Sequence, residues 1–259
     1  MHRSDDLDDD FEMEERILTF MESMAPEQTE FLDKIEQEAL GDAVPIIRTQ
    51  TRSLIQFIMS AAEPHRLLEI GTGTGYSGCV MLTYAPEDAK LVTIEKDPQR
   101  AEKARNHFAN LPASMTQYDS SCPSVTGGSG KPPGGSESEV PNPGKSDPAA
   151  RRVTLLQGDA ADILPGLSGE FDFIFMDAAK GQYIHFLPEV LRLLAPGGLL
   201  LSDNIFRDGE VLQSRYAVKR RNRTIHKRMR EYLTALTRDP ALQTLLLQEG
   251  DGMALTRKK

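Results

Sequence analysis

RLLEIGTGTGYSG, residues 66–78, is the stretch whose reading decides the fold. Leu67, Leu68 and Ile70 make a short apolar run, and Gly71, Gly73 and Gly75 follow at once. This pattern predicts a buried parallel strand ending in a glycine-rich turn, with a helix starting near Tyr76 or Ser77. Glycine lets the backbone take positive φ and approach a ligand with no Cβ between them. The new helix then points unpaired N–H groups at whatever lies there. The stretch reads as a nucleotide-type site at the carboxyl edge of a sheet; the alternative is a merely tight turn. A nicotinamide dinucleotide site would spell G-x-G-x-x-G, and Tyr76 stands where its third glycine belongs. A nucleoside ligand without pyrophosphate does not need that glycine.

Downstream, a strand is predicted over Lys90–Ile94, ending at Glu95, and Pro98 starts a helix reaching about Leu111. Strands follow at Val153–Gln157, Phe171–Met176 and Leu199–Leu201, ending at Gly158-Asp159-Ala160, Asp177 and Asp203-Asn204. A helix from about Gln182 to Leu194 separates the last two and closes with Pro196-Gly197-Gly198. Strand–helix alternation of this kind marks an α/β fold with a parallel sheet. Two short strands, Leu242–Leu247 and Met253–Thr256, finish the chain around a turn at Gly250-Asp251-Gly252. Upstream, short helices are predicted from Glu12 to Met24, from Pro26 to about Gly41 and from Thr49 to Ala61.

Two segments stand apart. Residues 1–15 hold eight acids against one Arg, so Met1 to about Asp10 reads as a disordered acidic tail. Residues 112–150 contain seven Pro, six Gly and eight Ser with few large apolar groups, which predicts a solvated, disordered insertion. The organisation is therefore a tail and short helix over 1–26, then one domain over 27–259 interrupted at 112–150.

Composition narrows the class. Charged residues are 27% and hydrophobic ones 39% of 259 residues, and no apolar run has the length of a membrane helix. The acidic start does not look like a signal peptide. Cys79 and Cys122 are the only cysteines, so a disulfide framework is not expected and a reducing cytoplasm is. The net charge is −9, yet Arg215 to Arg230 carries eight Lys or Arg and no acid. At 100° per residue, Val218, Ile225, Met229, Tyr232 and Leu236 cluster on one side of a helix. Lys219, Arg220, Arg223, Lys227 and Arg230 gather opposite as a positive ridge, while the apolar side docks on the domain or on a second subunit.

In an open parallel sheet a ligand lies beyond the carboxyl ends of the strands, where Glu95, Asp159, Asp177, Asp203 and Asn204 all fall. Glu95, twenty residues past Gly75, can accept both hydroxyls of a ribose, and Asp159 an adenine amino group. Asp177, Asp203 and Asn204 offer three hard oxygen ligands of the kind Mg²⁺ takes, although an aspartate at a strand end also serves as a helix cap. Lys180, three residues after Asp177, becomes a base if a nearby cation lowers its pKa.

Six ordered motifs now point one way: RLLEIGTGTGYSG, LVTIEKDP, LLQGDAAD, FDFIFMDAAKGQY, LLAPGGLLLSDNIFRDG and GDGMALTRKK. Together they resemble the cation-dependent S-adenosylmethionine O-methyltransferases, the family of the catechol and caffeoyl-CoA enzymes. The resemblance implies a Rossmann-like class I methyltransferase fold, a seven-stranded mostly parallel sheet with helices on both faces and a reversed strand near one edge. It implies that Gly71, Gly73, Gly75 and Ser77, with the backbone near Ile47, hold the methionine part of S-adenosylmethionine. Glu95 would take the ribose, Asp159 and Ala160 the adenine, and Asp177 would border the same cofactor. Asp177, Asp203 and Asn204 match the family's Mg²⁺ ligands, and Lys180, acting beside Asp177, its catalytic lysine. Gly73 departs from the bulky aromatic of the catechol enzymes, and the insertion is a second departure. Within the family, MDAAKGQY, SDN with the following FRDG turn, and the arginine-rich helix look like bacterial tRNA 5-hydroxyuridine methyltransferases. That implies a cytoplasmic homodimer acting on the anticodon region of tRNA, with no membrane partner; a small catechol-like diol is the alternative substrate.

Overall fold

The computed structural model describes residues 16–112, 152–206, 209–214, 216–249 and 251–259. The expected acidic tail and all of the insertion beyond Pro112 lie outside the described residues, as do Arg207, Asp208, Arg215 and Gly250. Seven strands form one sheet: β1 (Arg66–Ile70), β2 (Lys90–Glu95), β3 (Val153–Gln157), β4 (Phe171–Met176), β5 (Leu194–Ser202), β6 (Leu242–Leu247) and β7 (Met253–Lys258). Their order is β3-β2-β1-β4-β5-β7-β6. The first five are parallel, and β7 runs antiparallel to both β5 and β6. The expected reversed strand near one edge is therefore β7. Strand order turns back between β1 and β4, which opens a crevice at their carboxyl ends.

The helices are α1 (16–23), α2 (Glu30–Gly41), α3 (Thr49–Ala62), α4 (Tyr76–Tyr84), α5 (Pro98–Ala109), α6 (Ala160–Ile163), α7 (Tyr183–Leu193) and α8 (Arg223–Arg238). Alternate residues of β4 explain why its sequence is apolar throughout. Phe173 and Phe175 pack with Ile35, Met59 and Val80 of α2, α3 and α4, while Ile174 and Met176 pack with Val190 of α7 and Met229 of α8. A strand buried on both faces has no polar side to show.

Three boundaries differ from the sequence expectation. The helix expected from Pro26 begins at Glu30, because the Thr29 side chain accepts a hydrogen bond from the Leu32 N–H and caps it there. The strand expected over Leu199–Leu201 starts five residues earlier, at Leu194. Pro196-Gly197-Gly198 make a bulge within it: Phe171 pairs with Leu194 but Phe173 with Leu199, and Gly197 takes φ +79°. The basic helix starts only at Arg223, after a single 3₁₀ turn over Arg220–Asn222, so Val218, Lys219 and Arg220 precede it. Among the described residues, no helix is long and apolar enough to cross a membrane.

Candidate active site

Beyond the carboxyl ends of β1, β2 and β4 lies a cleft of about 770 Å³. Ile47, Gly71, Gly73, Ser77, Glu95, Asp159, Ala160 and Asp177 all line it. Gly71 has φ +96°, and a Cβ there would stand 2.1 Å from the Asp177 carbonyl oxygen, so the neighbouring strand end forbids any side chain. Gly73 has φ +55° and nothing within 4 Å of its missing Cβ, which leaves open space where a larger residue would project. Gly75 lies between the lining residues Thr74 and Tyr76, and its φ of +90° and close approach to Ala104 and Phe108 make it the turn that lets α4 pack on α5.

The Glu95 carboxylate is held at the cleft wall by two backbone donors, the N–H groups of Gly73 and Asp97, each at 2.8 Å. Those bonds fix its orientation and leave lone pairs for a diol. Asp159 is more committed than expected: one oxygen caps α6 by accepting from Ala161 N–H, and the other takes the Lys96 ammonium at 2.7 Å. Both partners hold its carboxyl below the usual range, Lys96 most strongly. The Ser77 hydroxyl donates to Glu69 at 2.6 Å, so it meets a ligand already anchored. Thr74 also lines the cleft, and its buried hydroxyl has no protein partner among the described residues. A concave site with a glycine cradle, a fixed carboxylate and an orphan hydroxyl fits a nucleoside cofactor such as S-adenosylmethionine.

At one end of the cleft the metal candidates meet. Asp177 follows β4 and Asp203 follows β5, adjacent parallel strands, and the Asp203 N–H bonds the Met176 carbonyl at 3.0 Å. Asn204 takes φ +55°, a region asparagine tolerates, and its amide lies 3.2 Å from Asp177 Oδ1. Burial, then the Asp177 charge, push the Asp203 carboxyl up to about 6. Thr51 of α3 places its hydroxyl 3.4 Å from both Asp203 oxygens. Among the described residues no three His, Cys, Asp or Glu cluster, so the set is two carboxylates and an amide. Two neighbouring carboxylates, with an amide oxygen available by rotation, fit a hard divalent cation.

Lys180 Nζ closes the group. It donates to Asp177 Oδ1 at 3.0 Å, to the Tyr183 hydroxyl at 3.1 Å and to the Asp203 carbonyl at 3.3 Å. Tyr183 is fully buried, its hydroxyl donating toward the carbonyls of Met176 and Asp203, and its ring meets Tyr232 edge-on at 5.4 Å. The tyrosine thus ties two strand ends together beneath the lysine.

Glu69 escaped the sequence reading. It sits in the middle of β1, fully buried, accepting from Ser77 and from Thr93, its register partner on β2, at 2.6 and 2.5 Å. Burial dominates and raises its carboxyl to about 7. The signal was available: an acid inside an apolar strand is rarely buried without purpose. Because the folded pKa lies above the unfolded one, the stability Glu69 confers is full below about pH 4.5 and is lost as pH rises through about 7. Glu69→Gln cannot ionise, and the hydroxyls of Ser77 and Thr93 can turn to meet an amide. Its melting temperature relative to wild type should therefore climb between pH 5 and pH 8, by a margin on the order of 3 kcal/mol of unfolding free energy. A difference that stays flat across that range would assign the carboxyl an ordinary pKa.

The basic segment is partly corrected. Met229, Tyr232 and Leu236 face the core as expected, so the domain itself covers that side. His226 is buried there, while Ile225 is only half-buried. Opposite, Arg223 is half-buried and bonds the Val218 carbonyl, Arg230 bonds the Val211 carbonyl, and Lys227 pairs with Glu231 at 3.5 Å. Lys219, Arg220, Lys227 and Arg230 remain exposed. Arg228 bonds the Gly181 carbonyl at 3.1 Å, which places the start of α8 beside Lys180.

Sheet order, cleft and the Asp-Lys-Asp-Asn cluster define a class I methyltransferase. The sequence profile of the O-methyltransferase family matches residues 22–116 and 144–259. The chain belongs to that family and is an S-adenosylmethionine-dependent O-methyltransferase. It is 30% identical to a catechol O-methyltransferase of Niastella koreensis, with 84% of each chain covered. A caffeoyl-CoA O-methyltransferase of Eucalyptus globulus is 25% identical over 79% of this chain and 71% of its own. In fold it is similar to the S-adenosylhomocysteine-bound methyltransferase PaMTH1 of Podospora anserina, with a TM-score of 0.72 and 24% identity over 96% of both chains.

Proposed function

We propose that this enzyme moves a methyl group onto one of two adjacent oxygens of its acceptor, with 5-hydroxyuridine of tRNA as that acceptor. The observation that carries the chemistry is the meeting of Asp177, Lys180, Asp203 and Asn204 at the end of the cofactor cleft. S-adenosylmethionine supplies an already activated sulfonium methyl. A divalent cation held by Asp177, Asp203 and Asn204 would lower the pKa of a substrate hydroxyl bound to it. Lys180 accepts that proton, with Asp177 and Tyr183 holding its amine in place. Glu95 and the Gly71–Ser77 loop orient the donor, and much of the rate gain is positioning.

The C4 carbonyl and C5 hydroxyl of 5-hydroxyuridine meet the adjacent-oxygen requirement. Exposed Lys219, Arg220 and Lys227, on the segment that touches Gly181, would meet phosphates beside the site. A catechol-like diol is the second reading, favoured by the similarity to the Niastella koreensis enzyme. Methyl transfer to bulk tRNA and to a catechol, measured side by side, separates the two. For tRNA, activity should fall steeply with salt, and Arg220→Glu with Lys227→Glu should lower it about 10-fold or more while affinity for S-adenosylmethionine stays. If the double variant methylated tRNA as fast as wild type, the small-molecule reading would take its place.

A further inference from the structure

Tyr76 stands where a dinucleotide site keeps its third glycine, and methyl transfer leaves it without a task. It borders the cleft, yet it is only 2% exposed and its hydroxyl ends inside the protein. There the hydroxyl donates to the Gln28 side-chain oxygen at 2.6 Å and accepts from Arg52 Nη1 at 3.3 Å. Glu36 of α2 completes the group. Its Oε2 lies 3.4 Å from the tyrosine hydroxyl and 3.5 Å from Arg52 Nη1, and it accepts from the Gln28 amide. Burial, the largest influence, pushes the Tyr76 hydroxyl up to about 12, so it keeps its proton and goes on donating. A second tie runs beside the first. His107 of α5 meets Glu38 of α2 through Nε2 at 3.2 Å and donates from Nδ1 to the Thr74 carbonyl at 2.7 Å. Helix α2 therefore reaches the glycine loop at both residues that flank Gly75.

Stability does not account for so much buried polarity. Arg52 is 7% exposed, and its Nε has no partner among the described residues. Taking a guanidinium and a carboxylate out of water costs about as much as their attraction returns, and apolar side chains of equal volume would serve a core as well. What such a group does fix is geometry, because an arginine fork and a tyrosine hydroxyl accept few arrangements. The geometry fixed here is that of the cleft wall. Pro45, Ile46 and Ile47 line the cleft from the connection between α2 and α3, which has no helix or strand of its own. Glu36 lies on the helix before that connection and Arg52 on the helix after it. The Tyr76 hydroxyl gathers both onto the first turn of α4.

We propose that Tyr76, Arg52 and Glu36 are positioning residues that hold the wall of Pro45, Ile46 and Ile47 against the glycine loop before S-adenosylmethionine arrives, and so set the affinity for it. A preformed wall spares the cofactor the cost of ordering a loop. This rests on the cleft being the cofactor site, and it holds whichever acceptor is methylated. Calorimetric titration of S-adenosylmethionine into Tyr76→Phe, which keeps the ring, should give an affinity about tenfold weaker than wild type. Gln28→Ala, a milder change at a half-buried position, should weaken it about threefold, and it decides the matter should Tyr76→Phe fail to fold. Hydrogen exchange separates positioning from plain packing. The Val44 amide, bonded to the Ala39 carbonyl at 2.9 Å, and the Arg52 amide, bonded to the Arg48 carbonyl at 2.9 Å, bracket the wall. Both should exchange faster in the free variants than in free wild type, and saturating S-adenosylmethionine should bring the proteins together. Glu95→Ala reads the cleft itself and should also bind more weakly. Folded variants that bind as tightly as wild type, or that exchange these amides no faster, would overturn the proposal alone so long as Glu95→Ala binds weakly. Full affinity in Glu95→Ala would overturn the cleft as the cofactor site, and the proposal with it.

Discussion

The Asp203→Ala variant is expected to lose methyl transfer by about 10³-fold or more while it still folds and binds S-adenosylmethionine. Asp203 is one of two carboxylates at the end of the cleft, and removing it halves the negative charge offered to a cation. Several kcal/mol of transition-state stabilisation depend on such a charge, and each 1.36 kcal/mol is about tenfold in rate. The fold should tolerate the change, because a buried carboxylate beside a second one contributes repulsion as well as hydrogen bonds. Thr51 and the Asn204 N–H lose an acceptor, a modest loss of about 1 kcal/mol each. Glu95, Gly71 and Gly73, which would hold the cofactor, line the cleft without a bond to Asp203. Millimolar Mg²⁺ should raise the melting temperature of wild type and leave that of the variant unmoved. If Asp203→Ala turned over at more than a tenth of the wild-type rate, or wild type kept full activity after dialysis against EDTA, the cation would have no part in the chemistry.

What could be read from the sequence follows the range of each physical signal. Strand and glycine turn at 66–78 were legible because an apolar run and three spaced glycines act locally, and the structure places β1 and α4 there. Asp177, Asp203 and Asn204 were legible as strand-end residues, since a parallel sheet gathers its carboxyl ends on one edge. The start of α2 was placed at Pro26 because an upstream proline and a hydroxyl cap both start helices, and only geometry decides between them. The packing constraint on Gly75 was not legible, because Ala104 and Phe108 stand about thirty positions further along the chain. Glu69 was missed for a related reason: its partners Ser77 and Thr93 become neighbours only once β1 and β2 are in register. Arg223 and Arg230 showed their charge in the sequence but not the carbonyls of Val218 and Val211 that engage them.

The second large effect concerns Lys180, and it separates two roles that the geometry alone would allow. Its amine touches Asp177 Oδ1, the Tyr183 hydroxyl and the Asp203 carbonyl, so it can either steady the acidic cluster by charge or take the acceptor's proton. Lys180→Met keeps the length of the side chain and removes both roles; a lost general base costs about 10²–10⁴-fold in turnover. Lys180→Arg restores the charge but not the base, because a guanidinium stays protonated throughout the working range. If Lys180 is the proton acceptor, both variants should fall by that factor, with affinity for S-adenosylmethionine and the acceptor KM changed only a few-fold. Recovery of Lys180→Arg to within about tenfold of wild type would instead show that the lysine serves by charge. The folding readout is direct: Tyr183 keeps its bonds to Met176 and Asp203 in either variant, so the two strand ends should stay tied and melting should shift little. Loss of turnover with that melting profile can then be assigned to the proton, since the positions of Asp177 and Asp203 do not depend on the lysine alone.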